Sequence, residues 1–128
     1  MILDTSVLVA IMLDEPERDT FIARISTAHT VAVGAPTLVE AGLVLSSRMG
    51  LDASALLAHL VATMDAVVIE FGPQHWQEAV SAWWRFGEGR HAAGLNFGDC
   101  LAYAAARIAR EPLLAKGDDF PKTDIPLA

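Results

Sequence analysis

Short apolar runs alternate along this chain with longer stretches whose apolar positions recur at helical spacing. Residues 1–4 form the first run, a short buried strand that passes straight into a helix over about 6–13, with Asp4, Thr5 or Ser6 as its cap. Asp14-Glu15-Pro16 breaks that helix, and a second is expected over about 17–27, with Phe21, Ile25 and Ala28 on one face. Residues 30–34 are rich in β-formers and predict a second strand. Pro36 then opens a helix that runs to about 48 and stops at Gly50. Asp52 suits the cap of a helix over about 53–64. A third strand is expected at 67–70, and Gly72-Pro73 turns it into a helix over about 74–86. Residues 87–94 carry the longest loop signal, after which Asn96 caps a helix to about 110 that Glu111-Pro112 ends. Residues 112–115 predict a fourth strand, 116–119 a turn and 123–127 a last short strand.

Strands alternating with helices imply an α/β domain with a mainly parallel sheet. No internal repeat, low-complexity segment or linker interrupts the pattern, so the expectation is one domain over residues 1–128. Ligands of such sheets gather beyond the carboxyl ends of the strands. That rule brings Asp4 and the 116–119 turn to one rim, with Glu40 one turn into the helix after the second strand.

Composition adds a partner to this picture. A hydrophobic fraction of 53% and a mean hydropathy of +0.38 leave more apolar surface than a small monomer hides, so an oligomer or a protein partner is expected. The single cysteine, Cys100, excludes an internal disulfide framework and fits a reducing compartment. With no signal-peptide pattern and no apolar run of membrane-spanning length, the chain reads as cytoplasmic, with no membrane partner. The net charge of −7 argues against a surface that coats nucleic acid generally. Yet residues 1–84 hold ten acids and three bases, and residues 85–128 hold six of each. Any phosphate-bearing ligand should therefore approach the last third, where Arg85, Arg90, His91 and Lys116 flank the acids described next.

Three carboxylates lack neighbours that would neutralise them. Asp4 is the only charge between Met1 and Leu13, Glu40 the only one between Pro36 and Ser47, and Asp99 the only one between His91 and Ala106. Buried ionised carboxylates are costly unless paired, hydrogen-bonded or bound to metal. One shared cation, with Asp118 or Asp119 as a fourth contributor, resolves all three at once. Taken singly, Asp4 and Asp99 also suit helix caps, and Asp118-Asp119 beside Gly117 suits a plain turn. Glu40, in mid-helix, has no capping role. Oxygen-only ligands favour Mg²⁺ or Mn²⁺ over Zn²⁺, and such an ion at a sheet rim suits phosphoryl chemistry by activating water. His29, His59 and His75 lack metal spacing and read as structural, Cys100 reads as a core residue, and Trp76, Trp83 and Trp84 read as core or partner-groove packing.

These residues resemble the PIN-domain nucleases, and within them the VapC-type toxins of bacterial toxin–antitoxin pairs. Met1-Ile2-Leu3-Asp4-Thr5-Ser6 is similar to the family's first strand and first acid, and Pro36-Thr37-Leu38-Val39-Glu40 to the helix that carries its Glu. The most specific match is Gly94-Leu95-Asn96-Phe97-Gly98-Asp99-Cys100-Leu101-Ala102-Tyr103-Ala104. Pro112-Leu113-Leu114-Ala115-Lys116-Gly117-Asp118-Asp119-Phe120 followed by Thr123-Asp124-Ile125 resembles the closing motif. The resemblance implies a three-layer α/β/α sandwich around a mainly parallel sheet and an Mg²⁺-dependent endoribonuclease. It also implies a homodimer restrained by a cognate VapB-type antitoxin that pushes a basic side chain into the acidic site. Asp4 and Asp99 would be the principal metal ligands and Glu40 the third acid, with Ser6 or Thr5 as a supporting hydroxyl. The family commonly carries its fourth acid two residues before the Asp-Phe pair, where this chain has Gly117. Asp118 or Asp119 must then substitute, with Asp118 preferred, while Arg85, Arg90 and Lys116 would contact RNA phosphates.

Two rivals stand beside this reading. A catalytically inactive PIN-like binding module would keep the apolar surfaces, and Gly117 is its best support. A phosphorelay receiver-like domain also has early acids and a late Lys. It needs an Asp at its third strand, however, which here ends in Glu70.

Overall fold

A computed structural model describes residues 1–128. Four short strands, β1 (Ile2–Leu3), β2 (Ala32–Gly34), β3 (Val67–Ile69) and β4 (Leu113–Leu114), form one sheet in the order β3-β2-β1-β4. Every pairing is parallel, with Ile2 opposite Ala32 and Leu113, and Ala32 opposite Val67. Parallel neighbours require crossovers, and helices supply them. These are α1 (Thr5–Met12), α2 (Arg18–Ser26), α3 (Ala35–Met49), α4 (Ser54–Thr63), α5 (Pro73–Phe86) and α6 (Phe97–Ala109).

The two-residue period of the strands sorts the core into two layers. Ile2, Ala32 and Leu113 point into a cluster with Tyr103, Leu95 and Phe120, on the face covered by α5 and α6. Leu3, Val33 and Leu114 point the other way, into a cluster with Val7, Leu8, Phe21, Leu45 and Leu57 from α1 to α4. The result is a helix–sheet–helix sandwich whose central strand, β1, is fully buried. The edge strand β3 is half open, with Val67 and Val68 exposed. No helix is long and apolar enough to cross a membrane.

Most expected elements fall within two residues of where the pattern puts them, and the exceptions have local causes. Of the three candidate caps for α1, Asp4 holds the position, in extended backbone with its side chain accepting from Ser6 N. Asp52 caps from one residue outside: Ala53 is the cap residue of α4, while Asp52 Oδ1 accepts from Ser54 N at 2.9 Å. The expected strand at 123–127 shrinks to one bridge between Leu127 and Leu113. A 3₁₀ turn at Phe120–Lys122 consumes the preceding chain, and its Pro121 cannot donate to a sheet ladder.

Candidate functional site

Asp4 is the residue at which β1 ends and α1 begins. Its backbone N–H donates to Leu114 O at 3.0 Å, so the sheet itself fixes its Cα. Ser6 N and Ser6 Oγ both donate to Asp4 Oδ2, at 2.9 and 2.6 Å. The same Ser6 Oγ accepts from Lys116 N at 2.9 Å, which ties the turn after β4 to the start of α1. Ser6 therefore locks one Asp4 oxygen and the neighbouring turn together. Asp4 is only 5% exposed, and burial pushes its carboxyl above the usual carboxylate range. The Ser6 hydrogen bonds oppose that rise in part, and the charge of Glu40 adds to it.

Glu40 stands on α3, the helix that leaves the carboxyl end of β2. Thr5 Oγ1 donates to Glu40 Oε2 at 2.5 Å and joins it to the residue after Asp4. On its other side Glu40 lies directly against Gly98, in the first turn of α6. Asp99 follows, in a reciprocal capping box: Asp99 N donates to Asn96 Oδ1 and Asn96 N donates to Asp99 Oδ2, each at 2.9 Å. Burial pushes the Asp99 carboxyl up to about 6, opposed by the Asn96 backbone hydrogen bond and assisted by the charges of Asp4, Asp119 and Glu40.

The closing turn carries two consecutive acids, Asp118 and Asp119, both exposed. The charge of Asp119 reaches Asp99. Asp118 is exposed and makes no ion pair, and the only cation near Asp119 is Lys122, at 3.8 Å. Gly117, at φ 91°, sets a left-handed turn just before them. No Lys or Arg forms an ion pair with Asp4, Glu40 or Asp99. As the side chains stand, no three of them are arranged to ligate a single ion together.

The basic residues near the motifs are engaged elsewhere. Lys116 Nζ sits 2.9 Å from Glu15 and 2.8 Å from Glu17, anchoring the closing turn to the α1–α2 connection. Arg85 pairs with Asp124 at 2.6 Å and reaches the Tyr103 hydroxyl at 3.4 Å. Tyr103 donates to the other Asp124 oxygen at 2.5 Å. Burial, with Asp124 adding to it, pushes Tyr103 up to about 12, so it remains a hydrogen-bond donor. Arg90 stacks over Trp84 at 3.7 Å and donates through Nε to Trp84 O, leaving its two terminal nitrogens without ion pairs. Cys100 is buried, and that burial together with Asp99 raises its thiol to about 11, a protonated core residue at neutral pH. Sequence reasoning had Asp124 only as part of a motif and missed its role as the anchor of the tail. Its partners lie 21 and 39 residues away, and no local periodicity signals them.

Comparison with known proteins adds an independent line. A family model described as PIN domain matches residues 1–126. The chain is 40% identical over 126 residues to ribonuclease VapC36 of Mycobacterium tuberculosis, covering 98% of this chain and 91% of that one. VapC20 of Mycobacterium tuberculosis, a solved structure described as a sarcin-ricin loop cleaving toxin, superposes with a TM-score of 0.80 at 18% identity, over 99% of this chain and 97% of that one. VapBC2 from Rickettsia felis, solved bound to a DNA fragment from their promoter, gives a TM-score of 0.77 at 14% identity, over 99% and 96%. At these identities the two structures speak to the fold alone.

Proposed function

The chain belongs to the PIN-domain family, and from that premise we propose that it is a metal-dependent endoribonuclease of the VapC type. In this reading residues 1–128 form one PIN domain that acts in the cytoplasm as the toxin of a toxin–antitoxin pair. The observation that carries it is the set of uncompensated carboxylates at one sheet rim. Asp4 and Asp99 are both raised by burial and by neighbouring acids, and no basic side chain answers them. A divalent cation is the economical counter-charge. PIN-domain ribonucleases of this type depend in general on such an ion.

The donor set fits Mg²⁺ or Mn²⁺, being all oxygen. Mg²⁺ usually takes one or two protein carboxylates and keeps several waters, so a site without three converging ligands still suits it. Asp4 and Asp99 would hold the ion, with Asp119 as the fourth acid in preference to Asp118, since its charge reaches Asp99. When bound, a divalent cation would supply counter-charge to the pocket and lower the pKa of a water toward nucleophile strength. Glu40, with Oε2 engaged by Thr5, offers Oε1 to take the attacking water's proton as the P–O ester bond breaks. Ser6 keeps Asp4 in a single rotamer. Arg90, whose guanidinium tips are free of ion pairs, is the basic residue assigned to RNA phosphate. Lys116 and Arg85 are assigned to holding the turn and the tail.

Two protein partners belong to the same reading. Val39, Leu43, Trp76, Val80 and Phe97 are exposed and line an apolar groove of 580 Å³ between α3, α5 and α6. That much apolar surface suits a second copy of the chain, and a VapB-type antitoxin is the expected inhibitor. The 40% identity to a ribonuclease named VapC supports that expectation.

A second reading, a binding module that has lost catalysis, draws on Gly117 and on the lack of three preassembled ligands. Titration calorimetry with Mn²⁺ separates the two. The nuclease reading expects saturable binding that Asp4→Ala or Asp99→Asn removes. Absence of binding to the folded wild-type chain would favour the module.

A further inference from the structure

We infer that Gly98 and Thr5 are positioning residues for Glu40: Gly98 reserves the space that the Glu40 carboxylate occupies, and Thr5 tethers it there. The inference rests on Glu40 belonging to the site proposed above.

Gly98 is the second residue of α6 and does not take the left-handed conformations that favour glycine. Glycine is a poor helix former, so neither backbone geometry nor propensity accounts for it. Space does. A Cβ built on Gly98 would collide with both carboxylate oxygens and Cδ of Glu40, and these are its nearest neighbours. From the opposite side, the Thr5 hydroxyl donates to Glu40 Oε2 at 2.5 Å. Glu40 is thereby gripped between the first turns of α1 and α6, the two turns flanked by Asp4 and Asp99. Both are helix N-termini, where a negative charge is favoured, and neither supplies a counter-cation.

The nature of the crowded neighbour decides what a substitution does. The three atoms nearest a methyl group at Gly98 all belong to the far end of the flexible Glu40 side chain, so the fold yields by moving the carboxylate. Ala also improves the helix. The position should therefore separate catalysis from stability: the protein stays folded and the acid is displaced.

The test measures RNA cleavage and Tm for Gly98→Ala, Thr5→Val, Thr5→Ser and Glu40→Asp, and for Gly98→Ala combined with Glu40→Asp. Misplacing a catalytic group by about 1 Å costs roughly 100-fold, and Gly98→Ala should lower kcat/KM on that order while Tm holds or rises. Thr5→Val should lower it as well, and Thr5→Ser, which keeps the hydroxyl, should recover most of the loss. In the Glu40→Asp background the shorter acid no longer reaches Gly98, so adding Gly98→Ala should change the residual rate by less than about twofold. The same large factor in both backgrounds, or an unchanged rate for Gly98→Ala, overturns the inference. If Gly98→Ala fails to fold, the Thr5 pair decides, and equal rates for Val and Ser overturn it. Asp99→Asn serves as the separate control. Lost cleavage there beside an indifferent Gly98 removes only the positioning role, whereas intact cleavage there overturns the nuclease reading and this inference with it.

Discussion

Asp99 ionises against burial and against three neighbouring carboxylates, and that opposition has a measurable sign. It titrates near 3.8 in the unfolded chain and about 6 in the fold. The folded state thus binds the proton more tightly. Its contribution to stability is present below about pH 4, is lost as pH rises through about 6, and stays lost above. Metal-free Asp99→Asn should accordingly gain Tm over the wild type as pH climbs from 4 to 7, and a difference that stays flat across that range contradicts the assignment. The closing turn makes a second prediction at this scale. Asp119→Asn should reduce cleavage at least tenfold while Asp118→Asn costs little, since the charge of Asp119 reaches Asp99; the reverse order in a kcat/KM comparison would return the role to Asp118. Isolated charges in apolar runs made Asp4, Glu40 and Asp99 legible from the sequence. The choice between the consecutive Asp118 and Asp119 is not legible in the same way, because they follow the left-handed Gly117 and neither periodicity nor propensity reports a turn's direction.

The helices act as holders of these acids, and their first turns do most of that work. Asn96→Ala removes one half of the α6 capping box and should cost about 1 kcal/mol by thermal or urea unfolding. It also frees the Asp99 backbone, so activity should fall further than that small loss of stability explains. Leu45→Ala, in the fully buried seam between α3 and α1, should cost about 2–5 kcal/mol and leave metal affinity in the remaining folded protein unchanged. Strand and helix positions were readable because the period changes from two to 3.6 at each junction, as at Leu3–Asp4–Thr5. The tail departs from its expected strand for a physical reason. Its sequence suits a strand, but Asp124 is held by Tyr103 and Arg85, and the 3₁₀ turn before it leaves only Leu127 to bridge the sheet. Long-range anchors of this kind leave no local trace, and the pairing of Lys116 with Glu15, 101 residues away, is another.

At the scale of the whole molecule, a high apolar content and an acidic rim are the two features that the proposed partner and cation would answer. The apolar content was legible from composition, and the structure locates its exposed share around α3, α5 and α6, where Phe97 is 81% exposed. Val80→Glu or Leu43→Glu should shift the chain from dimer to monomer in sedimentation without unfolding it; a wild type that sediments as a monomer at high micromolar concentration would remove the second copy from that groove. The central claim, that the acidic rim is a metal-dependent ribonuclease site, is tested most directly by one assay. Purified chain and its Asp99→Asn variant are incubated with RNA in Mg²⁺ or Mn²⁺, and again with EDTA. The account predicts cleavage by the wild type with metal, none with EDTA, and none by the folded variant. Cleavage that persists undiminished in EDTA or in Asp99→Asn would contradict it.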